Sequence, residues 1–131
     1  MKFENKFPDD FYEYLDNNTL VEIKGGTTRN KFLEIWMVNV KGRIFARTWE
    51  KREKSWFNSL LEEGKGEIKY SRKVIKIGGV KNNDPEINKL IDVAYLNKYN
   101  QPENIEYAKG ITKKEYSNYT IELIYKPLKS A

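Results

Sequence analysis

Residues 32–40 constrain this chain more than any other stretch. Phe32, Trp36, Val38 and Val40 fall on one alternating face and Leu33, Ile35 and Met37 on the other, with Glu34 the single interruption. Apolar side chains on both faces of an extended segment are the pattern of a strand buried on two sides. Lys41-Gly42 follows as a short hairpin turn, the glycine supplying the positive φ that a two-residue loop or bulge needs. The return strand, residues 43–49, sets Ile44, Ala46 and Thr48 against Phe45, Arg47 and Trp49, so its second face runs aromatic, cation, aromatic. Residues 55–63 then put Trp56, Phe57, Leu60 and Leu61 on one side of a helix that Gly64-Lys65-Gly66 ends. The rest of the chain has to be arranged around this hairpin and the helix that leaves it.

Residues 7–10 open a short helix, with Asp9 or Asp10 as its cap and Phe11, Tyr14 and Leu15 at helical spacing. A first strand over 20–24 stops at Gly25-Gly26, and the polar loop 27–31 leads to the hairpin. Strands over 67–70 and 73–80 flank Ser71-Arg72, with Gly78-Gly79 marking a bulge or a close backbone approach. Asp84-Pro85 starts a helix over 85–98 whose Ile87, Leu90, Ile91, Ala94 and Tyr95 form one apolar face. Short helical turns near 105–108 and 112–116 precede a last strand over 119–125 that Pro127 ends. About six strands with flanking helices predict an α+β, mainly β fold: a small antiparallel sheet that closes into a barrel, as a single domain over 1–131. One face of residues 32–40 fills such a barrel, and the other needs a helix, a cofactor or a second subunit. A homodimer is the preferred reading, with a helix of the same chain as the alternative.

The chain has no Cys and no His. This removes disulfides, thiol nucleophiles, imidazole bases and the common zinc ligand sets, so no metal site is expected and redox chemistry falls to a bound cofactor. Nine basic residues and three acidic ones lie between Lys24 and Lys54, a local charge of +6 in a chain whose total is +5. Such a stretch suits a phosphate-bearing small molecule, nucleic acid or an acidic membrane, or a plain solvated surface. Its basic strand end runs into a helix N-terminus at Ser55, where backbone amides and cations together favour an anion. Among the tryptophans, Trp49 is the best placed for a ligand, while Trp36 reads as core or dimer interface and Trp56 as core. Glu34, Asp92 and Glu122 read as surface or paired charges. No run is long and apolar enough to cross a membrane, and residues 1–10 lack a signal-peptide core, so the expected compartment is the cytoplasm.

Ile35-Trp36-Met37-Val38, Gly42-Arg43-Ile44-Phe45-Ala46-Arg47-Thr48, Ser55-Trp56-Phe57, Gly64-Lys65-Gly66-Glu67-Ile68, Ala94-Tyr95-Leu96-Asn97-Lys98-Tyr99 and Thr120-Ile121-Glu122-Leu123 occur in that order. The arrangement resembles the split-barrel flavoproteins, the superfamily of pyridoxamine 5′-phosphate oxidases and deazaflavin-dependent nitroreductases, and within it the domain-of-unknown-function family 2255. The resemblance implies a split barrel, usually a homodimer, with a flavin-type cofactor site at the subunit interface in related families. It implies FMN or a deazaflavin as cofactor and leaves open a protein with none bound. Carried onto this sequence, the cofactor phosphate is assigned to Arg47, Thr48, Lys54 and Ser55, with Trp49 beside the ring and Arg29 and Lys31 added from the preceding loop. Trp49 departs from the small or polar residue of relatives, so it either flanks the ring or fills its place. No catalytic residue follows. The expected function is binding of a flavin-type or other phosphate-bearing cofactor, with a weak oxidoreductase activity left open. The alternative is a non-enzymatic protein that meets single-stranded nucleic acid or a protein partner through residues 24–56. Arg47 is expected at the cleft mouth, so that Arg47→Ala leaves ligand-free stability nearly unchanged.

Overall fold

The computed structural model describes residues 6–49 and 55–127. Its strands are β1 (Val21–Gly25), β2 (Leu33–Ile35), β3 (Val38–Val40), β4 (Arg43–Arg47), β5 (Gly66–Tyr70), β6 (Lys73–Lys81) and β7 (Thr120–Tyr125). They form one antiparallel sheet in the order β2-β1-β5-β6-β7-β4-β3. Helices α1 (Asp9–Asn17), α2 (Trp56–Glu63), α3 (Pro85–Lys98) and α4 (Ile105–Ile111) flank it, and a 3-10 turn over Lys114–Tyr119 leads into β7.

The strand expected over 32–40 is two strands, which raises the number from about six to seven. β2 and β3 stand at opposite ends of the sheet although only Trp36-Met37 separates them. The chain therefore turns a corner at these two residues, and the sheet curls until its edges are consecutive pieces of one segment: a split barrel. A strand that changes partners gives up ladder hydrogen bonds at the bend, and its freed backbone groups need others. The end of α3 supplies them. The Tyr99 hydroxyl accepts from the Met37 N–H (3.1 Å) and donates to the Thr19 carbonyl (2.7 Å), and Lys98 Nζ donates to the Met37 carbonyl (3.0 Å). The Trp36 ring lies flat on Tyr99, with centroids 3.9 Å apart and planes 9° from parallel.

Inside the barrel, Val21, Ile23, Met37, Ile44, Ala46, Ile68, Ile77, Ile121 and Leu123 pack with Phe11 and Leu15 of α1 and Phe57 and Leu60 of α2. Outside it, Val38, Val40 and Phe45 pack against Ile91 and Tyr95 of α3, Tyr99 at its C-terminal cap, and Ala108 and Ile111 of α4. The β3 part of the second apolar face, for which a homodimer was the preferred cover, is thus covered by helices of the same chain, while Leu33 of β2 stays half exposed.

Local chemistry accounts for most element ends. Lys41 and Gly42 both take positive φ (55° and 87°), which makes the tight β3–β4 turn. Gly25 is needed where α2 begins, because a Cβ there would stand 2.1 Å from the Trp56 carbonyl oxygen. Ser55 caps α2 by accepting from the Asn58 N–H (3.2 Å), and Asp84 caps α3 through the N–H groups of Glu86 and Ile87. At α1 the expectation needs correcting: Pro8 precedes the helix, and Asp9 and Asp10 occupy its first turn without capping it. Asp10 instead accepts from the Tyr70 hydroxyl (3.0 Å) and pairs with Lys73, tying α1 to the β5–β6 hairpin. Its carboxyl is held below the usual range, chiefly by the hydrogen bond from Lys73.

Candidate functional site

Where β4 ends beside β2, a cleft of about 240 Å³ opens into the barrel wall. Leu20, Leu33 and Ile35 line one side of it, and Arg47, Thr48 and Trp49 the other, with Ile111 behind. Glu34 of β2, Trp36 from the barrel corner and Trp56 from the first turn of α2 complete the lining, so all three tryptophans of the chain border this cleft. β2 is the last strand on its side of the sheet, and its outer backbone edge has no strand beside it among the described residues.

The three tryptophans are held differently. Trp56 is buried, and Trp36 is fixed by its stack on Tyr99. Trp49 is 46% exposed and rests edge-to-face on Tyr116, centroids 5.1 Å apart, with its ring over Gly110. A Cβ at Gly110 would come within 3.1 Å of that indole. Thr48 is buried, and its N–H donates to the Tyr119 carbonyl (3.2 Å).

Arg47 touches the cleft, but its side chain is fully buried and its guanidinium is engaged elsewhere. Nε donates to Thr120 Oγ1 (2.9 Å), Nη1 to Asp92 Oδ1 (2.5 Å) and to the Ile111 carbonyl (3.2 Å), and Nη2 lies 3.3 Å from Asn88 Oδ1 and 3.4 Å from its carbonyl. Those contacts account for the five N–H donors of an arginine. The Arg47 backbone N–H donates to the Tyr95 hydroxyl at 2.8 Å. Burial pushes the pKa of Tyr95 up to about 12, against the opposing pull of that hydrogen bond. The structure corrects the expectation of an open Arg47 at the cleft mouth: the side chain is buried and paired with Asp92, so its replacement by alanine must disturb the fold.

Of the other residues assigned from sequence, Thr48 and Trp49 share the cleft with Arg47. Ser55 is buried next to Trp56, with its hydroxyl capping α2. Arg29 lies beside α2, Nη2 3.4 Å from Ser59 Oγ, in a separate depression with Lys24, Glu67 and Lys76. Lys31 is exposed, and Lys54 lies outside the described residues. Much of the basic stretch is paired in space: Arg43 with Glu122 (2.8 Å) and Lys24 with Glu67 (3.3 Å). Lys76, and then Lys24, hold the Glu67 carboxyl below its ordinary range. Sequence reasoning missed Trp36 and Trp56 as cleft residues. The usable signal was that both flank the corner and the helix start that border Trp49.

A family model described as "Uncharacterized protein conserved in bacteria (DUF2255)" matches residues 16–123, most of the chain. The protein belongs to this DUF2255 family. No curated protein matches the chain. Among solved structures, HutZ, the heme storage protein from Vibrio cholerae, superposes with a TM-score of 0.62 at 8% identity, covering 95% of this chain and 92% of HutZ. The conserved hypothetical protein Rv2991 from Mycobacterium tuberculosis gives a TM-score of 0.57 at 11% identity, covering 99% of this chain and 86% of Rv2991. These likenesses establish the split-barrel fold of this DUF2255 member.

Proposed function

We propose that this protein binds a flat aromatic ligand of the flavin type, the ring seated between Trp36, Trp49 and Trp56. The observation that carries the reading is that all three tryptophans line one cleft, beside the buried Thr48 and the open backbone edge of β2. Aromatic walls offer stacking area, and a strand edge offers the alternating N–H and C=O groups that a heterocyclic ring edge pairs with. At about 240 Å³ the cleft falls below the usual range for whole drug-sized ligands, so it takes a ring and leaves the tail outside. With the Arg47 guanidinium committed to Thr120, Asp92, Ile111 and Asn88, recognition rests on the ring more than on a phosphate. A flavin ring, when bound, supplies hydride and electron transfer of its own, while this chain's residues bind and orient it.

Heme, which HutZ stores, fits less well. An iron site draws on His or Cys ligands in most heme proteins, and this chain contains neither. Met37 is fully buried in the barrel, and the Tyr95 and Tyr99 hydroxyls are tied to backbone groups.

Titration of the purified protein with riboflavin and with FMN tests the reading through tryptophan fluorescence and thermal shift. Both flavins should quench the fluorescence and raise the melting temperature, with affinities within a few-fold of each other. Trp49→Ala should weaken riboflavin binding about tenfold, the size of one aromatic stacking contact. Tight FMN binding without riboflavin binding would return the anchor to the phosphate. No response to either flavin would end the proposal.

A further inference from the structure

A second cleft lies on the opposite side of the barrel corner, between the outer face of α3, the β3–β4 turn and the end of α1. It measures about 440 Å³, within the range of small-molecule sites, and its walls include Leu15, Val38, Val40, Leu90 and Val93. Lys98 lines it from the last turn of α3, with Nζ donating to the Met37 carbonyl at 3.0 Å and standing 5.3 Å from the centre of the Tyr99 ring. We propose that Lys98 is a carbonyl-reactive amine, poised in this cleft to form an imine with a small aldehyde or ketone that has an apolar body.

The argument begins with what Lys98 touches. Its hydrogen-bond partner is a neutral carbonyl, and among the described residues no carboxylate stands within ion-pair distance. Asp16 faces the cleft from α1 and favours the ammonium form, and Lys41 faces it from the β3–β4 turn with a like charge. Tyr99, beneath the ammonium, keeps its proton because burial raises its pKa. Burial outweighs the pull of Asp16 and brings the pKa of Lys98 down to about 8. At pH 7 the neutral amine is then roughly 300-fold more abundant than at an ordinary exposed lysine. That form carries the lone pair that attacks. The nitrogen adds to the carbonyl carbon to give a carbinolamine. The carbonyl oxygen then leaves as water with both amine protons, and the C=N bond of a neutral imine remains. Nothing is oxidised or reduced in this step.

The test uses the intact protein with benzaldehyde at low concentration and cyanoborohydride to trap the imine, followed by peptide mapping. Lys98 should label at least tenfold faster than the exposed Lys89 at pH 7, with its rate rising through an inflection near pH 8. Lys98→Arg keeps a donor for the Met37 carbonyl and should fold, but it should lose the fast phase of labelling. Even labelling across the lysines would overturn the proposal, as would a fast phase that survives in Lys98→Arg or an inflection at Lys98 above pH 10. Because flavin titration reads the other cleft, its outcome leaves this test unaffected.

Discussion

β4 separates two interiors built on different rules. On its barrel side, Ile44 and Ala46 meet Leu60, Ile121 and Leu123, and the packing is apolar. On its helix side, Phe45 and Arg47 meet Tyr95, and the contacts mix rings with hydrogen bonds. The ladder explains the contrast. Inside the barrel, neighbouring strands satisfy the backbone, so side chains need only fill space. The helix side lies where the ladder stops, at the end of β4 and at the Trp36–Met37 corner. There Tyr95, Lys98 and Tyr99, spaced i, i+3 and i+4 on one stripe of α3, reach the freed backbone groups. Apolar burial drives both interiors together, while the directional bonds of the second fix the corner and the register of α3 against it.

The largest effects should come from the centre of each interior. Leu60 is fully buried between α2 and the sheet, so Leu60→Ala should lower stability by about 4 kcal/mol through lost transfer energy and a cavity. Arg47→Ala should cost about 3 kcal/mol, because it strands Asp92 together with Thr120 and the Ile111 carbonyl; the partial exposure of Asp92 keeps the figure at the low end. Urea unfolding of both variants measures this. A loss below 1 kcal/mol for Arg47→Ala would break the comparison by making the polar side dispensable.

Tyr99→Phe comes next. It keeps the ring under Trp36 but removes the hydroxyl that serves the Met37 N–H and the Thr19 carbonyl. A buried donor left without a partner costs about 1–3 kcal/mol. The loss should appear together with faster amide exchange at Met37, a local reading that a general loss of packing would not single out.

These same contacts mark the limit of what the sequence could show. The hairpin, the helix over 85–98 and the alternating faces of β4 were legible, because period-2 and period-3.6 patterns report burial directly. The split of residues 32–40 was not. Both of its halves are apolar and extended, and the change of sheet partner depends on Tyr99, some sixty residues later in the chain. Arg47 was misjudged for a related reason. A cation on an alternating strand looks exposed until α3 and α4 bring Asp92, Asn88 and Ile111 to it. Trp49 was singled out for a ligand from its neighbours on the return strand, whereas only the corner and the start of α2 bring Trp36 and Trp56 to the cleft that it lines.

Lys98 supplies a smaller, pH-dependent effect on the helix side. Its folded-state pKa of about 8 lies below the ordinary value of 10.5, so between these limits the unfolded chain binds more protons than the folded one. Stability should therefore rise with pH across that window, by about 1–2 kcal/mol between pH 7 and 9.5. Above pH 10 the raised pKa values of Tyr95 and Tyr99 act the other way, since the unfolded tyrosines lose protons first. Lys98→Arg does not titrate in this range, so the difference between wild type and variant isolates the Lys98 slope. A difference that stays flat from pH 7 to 9.5 would show that the amine is as solvated in the fold as outside it.

Arg43 should give the smallest change, and it sharpens the comparison most. It stands on the same strand and the same face as Arg47, four residues earlier, and pairs bidentately with Glu122 at 2.8 and 3.1 Å. The hydrogen bond from Arg43 to Glu122 raises the pKa of the arginine, yet its side chain is 35% exposed, so water and salt screen the pair. Arg43→Ala should cost no more than about 1 kcal/mol, most of it through lost packing on Phe45. In double-mutant cycles the coupling between Arg43 and Glu122 should be under 1 kcal/mol and should shrink further in about 1 M salt. The coupling between Arg47 and Asp92 should exceed it and change little with salt, because the buried guanidinium is out of reach of counterions. Equal couplings with equal salt dependence would mean that burial does not separate the two arginines, and the helix side of β4 would then be an ordinary charged surface under a helix.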